Sequence, residues 1–534
     1  MTYFTRKHLM WGGRALAALT LCAVALWQPA AEAAVPGITG GTGGSATFSL
    51  IAQAVYISQP DGASIYSFGY GCAVAPAGYM PAKLGPGASP TPNHCAIAQI
   101  PGPTLIVHEG DAVTINLANL LPYGAPTTSI VFSGQQVTAT GGVPGILVQE
   151  ASAAAPVIYK FTASKPGTFE YHSGTRPELQ VEMGLYGVLI VLPAQANLAS
   201  CGAFVDNTTA THNGQPDYRL AASAYDHPQS CYDREYMFQL TEMDSNIHAD
   251  VLTQVKACGT TTCPEFVVKT DPYKPNYFLI NGRSMPDDMD VSFAPQYPYQ
   301  PYNGNPHMHP GETMLVREVA HGRIQHPLHI HANHARILAR DGNLLLSATD
   351  GTSFAGPLVF TYPSVSGQAT DSLFGWTGKG LNWDIYGHAN TVVAPGKSTA
   401  GNGDASPCYA DANGFYTSAS SPAAVPGVTA NYGEWCLDHN RPIPITPPDP
   451  QIVANGLWYG GTPYLGVQKV FAGRPQFVST PLPPGTSVQN PEAGYAFMWH
   501  SHDEREITTN DVFPGGMMMM LLIDPPSFVI DETL

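Results

Sequence analysis

Two short histidine-rich segments constrain the fold of this chain more than any other feature. One reads IQHPLHIHANH over Ile324–His334, and the other reads WHSH over Trp499–His502, at the end of an apolar run. Successive side chains of a β-strand point to opposite faces, so the two histidines of a His-x-His pair share one face. Those histidines are His329, His331, His500 and His502. The two pairs predict strands that present a metal site, and structural histidines satisfied by hydrogen bonds are the alternative.

The first 34 residues have the features of a secretory signal peptide. Basic residues precede an apolar run at Ala15–Trp27, and Ala31–Ala34 offers small residues for cleavage. The apolar run is too short for a spanning helix, and no other stretch reaches the required length. The sequence therefore predicts an exported protein, periplasmic or extracellular, with no membrane span.

Charge and composition narrow the class of protein. The formal net charge of −17 argues against a nucleic-acid partner, because such proteins present basic surfaces. The chain has 54 glycines and 49 prolines, while only 12% of its residues are charged. This composition is typical of an all-β protein with many turns. A chain of 534 residues predicts two to four domains, at about 100–200 residues per domain.

The cysteines bear on metal binding. One of the nine, Cys22, lies in the predicted signal peptide. The others are Cys72, Cys95, Cys201, Cys231, Cys258, Cys263, Cys408 and Cys436. An even number in an exported chain predicts disulfides, and pairing between sequence neighbours is the simplest connectivity. If all of them pair, no thiolate is left to bind a metal.

The strand pattern predicts two units. Short strands separated by turn signals fill residues 45–195 and predict a first β-sandwich. Residues 196–231 have the polar composition of a linker. Residues 232–534 form the second unit, interrupted by an irregular insertion at about 345–465. The insertion is long enough to hide a third sandwich, which is the alternative domain count.

These segments in this order resemble the multicopper oxidases. The motifs that carry the resemblance are PGPTLIVHEGDAVTINLAN, GTFEYHSG followed by MGLYGVLIV, FLINGR, HPLHIH, and WHSH followed by PGGM. They cover most of the mature chain and imply an all-β fold of tandem cupredoxin-like Greek-key β-sandwiches. Family members with two sandwiches place their metal cluster between neighbouring subunits of a trimer, so the resemblance also raises the prospect of an oligomer.

The resemblance implies a partial copper site. The family holds a three-copper cluster with four His-x-His pairs. Here Val131 and Ser133 stand in the ligand positions of the first pair, and the second keeps His172 but has Gly174 in place of its partner. The ligands that remain are His172, His329, His331, His500 and His502. Replacements are offered by His307, His309 and His334. One or two copper ions are therefore expected, rather than a full cluster.

The family's second metal centre, a blue copper, departs further from the pattern. His326 occupies the position of its first histidine, but Ser501 replaces the cysteine and Glu506 replaces the second histidine. A serine hydroxyl cannot supply the soft thiolate that such a copper requires. Methionines in Met517–Met520 offer thioethers, although such a run is more often core. A harder zinc or manganese site at His326, Glu504 and Glu506 is a further hypothesis.

Two functions follow. The first is a secreted copper-binding protein of the multicopper oxidase family, an oxidoreductase by resemblance, with dioxygen and a one-electron donor as substrates and no blue copper. Whether it is an enzyme stays open, because the usual electron entry point is missing and no catalytic residue is identified. The alternative is a non-catalytic protein that binds or sequesters copper, or a structural extracellular protein. Copper-dependent turnover separates the two.

Overall fold

Two β-sandwiches follow one another along the chain in the computed structural model. It describes residues 34–41, 43–85, 95, 98–194, 198–258, 263–376, 409–410, 416–417, 461–465, 468–471, 474–477, 493–524 and 528–532. The predicted signal peptide, most of the predicted insertion, and Cys408 and Cys436 lie outside these residues. Among the described residues, no helix combines the length and the apolar character needed to cross a membrane.

The strands of the first sandwich lie between Gly37 and Leu192. In chain order they are β1 (Gly37–Thr39), β2 (Ser45–Ser58), β3 (Ser64–Cys72), β4 (Gly78–Met80), β5 (Leu105–His108), β6 (Ala112–Leu120), β7 (Thr127–Thr128), β8 (Val131–Phe132), β9 (Thr138–Gly141), β10 (Ala151–Ser152), β11 (Val157–Thr162), β12 (Gly167–His172) and β13 (Tyr186–Leu192). A hairpin in the predicted linker consists of β14 (Thr211–His212) and β15 (Gln215–Pro216).

The strands that follow belong mainly to the second sandwich. They are β16 (Arg234–Met243), β17 (Tyr277–Ile280), β18 (His307–Met308), β19 (Thr313–Ala320), β20 (His326–Ile330), β21 (Ala335–Arg340), β22 (Asn343–Leu344), β23 (Leu358–Val359), β24 (Thr361–Ser364), β25 (Ala369–Gly375), β26 (Tyr409–Ala410), β27 (Tyr416–Thr417), β28 (Gly461–Leu465), β29 (Gln468–Phe471), β30 (Arg474–Phe477), β31 (Ala493–Ser501) and β32 (Met518–Ile523). Helices are α1 (Pro177–Gln180) and α2 (Ser245–Ala257), with 3₁₀ turns at Ala82–Leu84, Ala199–Cys201 and Asp287–Met289.

Alternation along the strands explains the first sandwich. Every second residue of β6 is buried, so one face of the strand meets the core and the other stays partly exposed. The two sheets have the strand orders β4-β1-β5-β13-β12-β8 and β3-β2-β6-β11-β9. Both sheets mix parallel and antiparallel pairs. In the first, β5 is parallel to β1 and β13, and in the second, β2 is parallel to β6, so the chain crosses between the sheets. Phe48, Ile115 and Tyr159 belong to the core between them.

The second sandwich repeats this plan. Its sheets have the orders β17-β16-β19-β25-β21-β22, with β23 beside β21, and β18-β32-β31-β20-β24, with β28 beside β31. The core between them contains Phe238, Leu328 and Trp499. The strands β23–β25 fall within the predicted insertion, yet they belong to this sandwich. Their sequence shows no clear alternation of apolar and polar residues. In β25 most residues on both faces are buried, and polar residues stand among the apolar ones. The predicted all-β class with tandem sandwiches is confirmed, while a third sandwich stays a prediction.

The described cysteines pair as sequence neighbours. The disulfides are Cys72–Cys95, Cys201–Cys231 and Cys258–Cys263. This confirms the predicted pairing for three of the bridges, and the fourth lies outside the described residues.

A buried face joins the two sandwiches. All residues of β13 are buried: Leu189 and Val191 face the first core, while Val188 and Ile190 pack with Val319 of the second sandwich. A strand buried on both faces reads as a continuous apolar run, as YGVLIVL does. The two sandwiches therefore pack against each other through apolar side chains of β13 and β19.

Thr168 links the buried charges at this interface. Its hydroxyl donates to Asp371 Oδ1 (2.6 Å) and accepts from Arg317 Nη1 (2.9 Å), and both partners belong to the second sandwich. Replacing Thr168 by valine keeps the shape of the side chain but removes one hydrogen-bond partner from Asp371 and one from Arg317. We therefore expect the unfolding free energy to fall by about 1–3 kcal/mol. Urea unfolding measures the loss. Thr162→Val, on the exposed face of β11, is the control, and an equal effect of the two substitutions would contradict the prediction.

Candidate metal centre

The two histidine pairs converge on one sheet of the second sandwich. Strands β20 and β31 are antiparallel neighbours, and their register sets His329 opposite His500. The ligand atoms of His329, His331 and His500 all lie within 4.8 Å of one another. His500 Nε2 is 3.3 Å from His331 Nε2, and the His502 ring centroid is 4.9 Å from that of His329. The four histidines predicted from the His-x-His spacing thus form one group.

Hydrogen bonds fix the orientation of two of these rings. His500 donates from Nδ1 to the carbonyl oxygen of Ser501 (2.7 Å), so in the neutral ring Nε2, which faces His331 Nε2, carries the electron pair. His329 Nδ1 is hydrogen-bonded to Thr361 Oγ1 (2.7 Å), which fixes the plane of its ring. Partners of this kind hold metal-binding imidazoles in position.

The protonation state of the group also suits a metal. Burial, followed by the neighbouring imidazoles His331, His500 and His502, lowers the pKa of His329 to about 4. Burial is the largest cause that lowers the pKa of His500, and His331 and His502 add to it. Neutral imidazole is the form that coordinates metals, and these lowered pKa values favour it in His329 and His500.

His172 belongs to the first sandwich and is not among the described residues whose ligand atoms lie within 4.8 Å of one another. It is the last residue of β12 in the first sandwich, where it pairs with Val131 of β8. Its Nδ1 is 3.0 Å from the carbonyl oxygen of Ser173, and its Nε2 is 3.8 Å from Glu170 Oε2. Within the described part of the chain, no hydrogen bond or ring contact joins it to the other four histidines. Its membership of the site stays a prediction.

The proposed replacement histidines have other partners. His307 Nδ1 is 2.6 Å from Asp524 Oδ2, and His309 Nδ1 is 3.2 Å from Glu312 Oε1. The ring of His334 packs against Phe360, with centroids 5.0 Å apart. None of the three belongs to the group of described residues whose ligand atoms lie within 4.8 Å of one another.

A buried cluster of charges surrounds His326, where the resemblance predicted a degenerate blue-copper site. His326 donates from Nδ1 to Glu506 Oε2 (3.0 Å) and from Nε2 to Glu242 Oε2 (2.9 Å). Ser501 Oγ, in the place of the cysteine, donates to Glu506 Oε2 (2.5 Å). Burial by itself lowers the pKa of His326, but the bonds to Glu242 and Glu506 outweigh it and raise the pKa to about 9. His326 is therefore an imidazolium with no free electron pair for a metal.

This geometry argues against the zinc or manganese hypothesis. The two carboxylates lie on opposite sides of the His326 ring, so they do not surround one point with ligand atoms. Glu504 is exposed. Sequence reasoning missed Glu242, the other half of the cluster. In the sequence Glu242 is a charged residue within the strand segment REYMFQLTEM, and the structure buries every residue of that strand.

Parts of the chain are similar to known copper proteins. Residues 91–196 match the family model for the multicopper oxidases. The chain is 37% identical over 100 residues to "Multicopper oxidase MCE" of Talaromyces pinophilus, covering 18% of this chain and 16% of that protein. It is 27% identical over 225 residues to "Laccase abr2" of Aspergillus fumigatus, covering 40% and 36%. A "Copper-containing nitrite reductase" of Alcaligenes xylosoxydans xylosoxydans is 34% identical over 128 residues, covering 23% and 37%.

Solved structures match over a longer part of the chain. "Multicopper Oxidase mgLAC" covers 91% of this chain and 88% of its own, with a TM-score of 0.44 and 15% identity. The blue copper oxidase from Nitrosomonas europaea covers 89% and 85%, with a TM-score of 0.43 and 14% identity. The matched segments of the curated relatives, in contrast, span well under two thirds of those proteins.

Proposed function

We propose that this chain, a cupredoxin-fold member of the multicopper oxidase family, is an exported copper-binding protein that holds one or two copper ions in its second sandwich. The ions would be held by His329, His331, His500 and His502. The observation that carries the proposal is the gathering of three imidazole ligand atoms within 4.8 Å of one another. Export, dioxygen and a one-electron donor as substrates, and an oligomer remain parts of this proposal.

The donor set fits copper. Imidazole is a good ligand for copper, whose divalent ion binds nitrogen donors more tightly than other first-row metals. The pKa of His329, lowered to about 4, means that no proton has to be displaced from this ring at neutral pH. Bound copper would supply one-electron redox chemistry. The chain itself contributes the orientation of His329 through Thr361 and of His500 through the Ser501 carbonyl.

The charge cluster favours copper sequestration as a second candidate function. In the family, electrons enter at a blue copper bound by a cysteine. Here the corresponding position holds the imidazolium of His326 between Glu242 and Glu506, an arrangement without redox chemistry. Binding without turnover follows if no other route brings electrons to the histidine group.

Metal analysis of the copper-loaded full chain tests the proposal. After dialysis we expect about one or two copper ions per chain, with an electron paramagnetic resonance spectrum of Cu(II) bound by nitrogen. Protein that retains no copper would overturn the proposal. Oxygen consumption with phenols or low-valent metal ions as donors then separates an oxidase from a sequestering protein.

Thr361 provides a test of ring orientation. Thr361→Val removes the hydroxyl that lies 2.7 Å from His329 Nδ1 while keeping the shape of the side chain. Loss of such a partner lowers metal affinity by about 10- to 100-fold, and we expect an effect in this range. Competition with a Cu(II) chelator measures it. Thr349→Val, at an exposed position in the preceding loop, should leave the affinity unchanged.

A further inference from the structure

Methionines lie beside the histidine group on the face that points away from the core. In β31 and β32 the inward residues include Trp499 and Met519, both in the core of the second sandwich. His500 comes directly after Trp499, and Met518 comes directly before Met519. Both side chains therefore point to the opposite face of the sheet. Met498 shares that face because it is two residues from His500.

The strand register sets these side chains next to one another. His500 pairs with Met518, and Met498 pairs with Met520. Side chains that are directly opposite on antiparallel strands have Cβ atoms about 4.5–5.5 Å apart, and long side chains also reach diagonal neighbours. The thioethers of Met498 and Met518 therefore flank the imidazole of His500.

The position of these methionines distinguishes them from core methionines. Met519 is completely buried within the second core, as a methionine run at the end of a sandwich predicts. Met498 and Met520 are only partly buried, and Met518, although 5% exposed, lies outside that core. Met520 is the less available of them, because its backbone packs against Met289, whose sulfur accepts a hydrogen bond from the Met520 N–H (3.3 Å).

We infer that the histidine group also binds Cu(I), with the thioether sulfur of Met518 or Met498, or both, as a ligand beside His500. The inference rests on the proposed function, since it concerns the same site. Thioethers are soft ligands that select Cu(I), whereas imidazole is a ligand for both Cu(II) and zinc. A site with both donor types keeps copper in either oxidation state and favours Cu(I) over zinc.

X-ray absorption at the copper edge tests this inference on the full chain. The protein is loaded anaerobically with the acetonitrile complex of Cu(I), and we expect a shell of sulfur around the copper in addition to nitrogen. The double variant Met498→Leu with Met518→Leu should lose this sulfur shell. Met519→Leu is the matched control, because its side chain is on the same strand but points into the core.

Affinity measurements complete the test. Competition with a Cu(I) chelator should show that the double variant loses at least about tenfold in Cu(I) affinity, while its Cu(II) affinity changes by less than about twofold. Absence of a sulfur shell in the wild type, or its persistence in the double variant, would overturn the inference. Wild-type protein that binds Cu(II) but not Cu(I) also overturns it and leaves the proposed function standing. Failure to bind either ion overturns both.

Discussion

Replacing His331 and His500 together by alanine is expected to abolish copper retention. Their Nε2 atoms are 3.3 Å apart, and each belongs to the group of three ligand atoms within 4.8 Å. The double variant keeps His329 and His502, and only His329 belongs to that close set of three. This remaining pair should not hold a divalent ion through dialysis. The affinity should fall by more than about 100-fold, the upper end of the loss caused by removing only an outer partner of a ligand.

The control for this experiment is a histidine close to the group but not part of it. His334→Ala removes an imidazole that contacts Phe360, and copper retention should not change. His172→Ala asks a separate question, because His172 lies in the first sandwich and has no described contact with the group. Copper that survives in the double variant at the wild-type level would show that the metal is held elsewhere.

The sequence was sufficient to predict the histidine group. The His-x-His spacing requires that each pair share a face, and the apolar residues around it predict a buried strand. The sequence did not contain the register that sets His329 opposite His500, since pairing between distant strands depends on the whole sandwich. Membership of His172 was inferred from resemblance and stays a prediction, and its described polar contacts are to Glu170 and Ser173.

The sequence identified three of the four residues of the charge cluster. His326, Ser501 and Glu506 were identified by their positions, and together they suggested a hard metal site. Glu242 changes the chemistry, because a second carboxylate on the other ring nitrogen favours a protonated ring over a bound metal. A residue distant in sequence determines the outcome here, and strand pattern alone does not locate such residues.

The same cluster predicts a stability that depends on pH. His326 has a folded-state pKa of about 9, above its ordinary value of 6.5. A raised pKa means that the folded state holds the proton more tightly, so this stabilisation is complete below pH 6.5 and is lost as the pH rises through about 9. The shift corresponds to roughly 3 kcal/mol of unfolding free energy. Other buried acids, including Glu182 and Glu532 with pKa values raised to about 8, titrate in the same range.

Comparison with His326→Gln isolates the contribution of this histidine. Glutamine leaves the buried Glu242 and Glu506 without a cation, so the variant should be less stable by about 3–5 kcal/mol near pH 6. The difference should narrow as the pH approaches 10, because the wild type then loses its own proton. Urea unfolding followed by tryptophan fluorescence measures it, since Trp376 and Trp499 are buried in the second core. A difference that stays constant across this pH range would mean that His326 is not an imidazolium, and that no cation lies between Glu242 and Glu506.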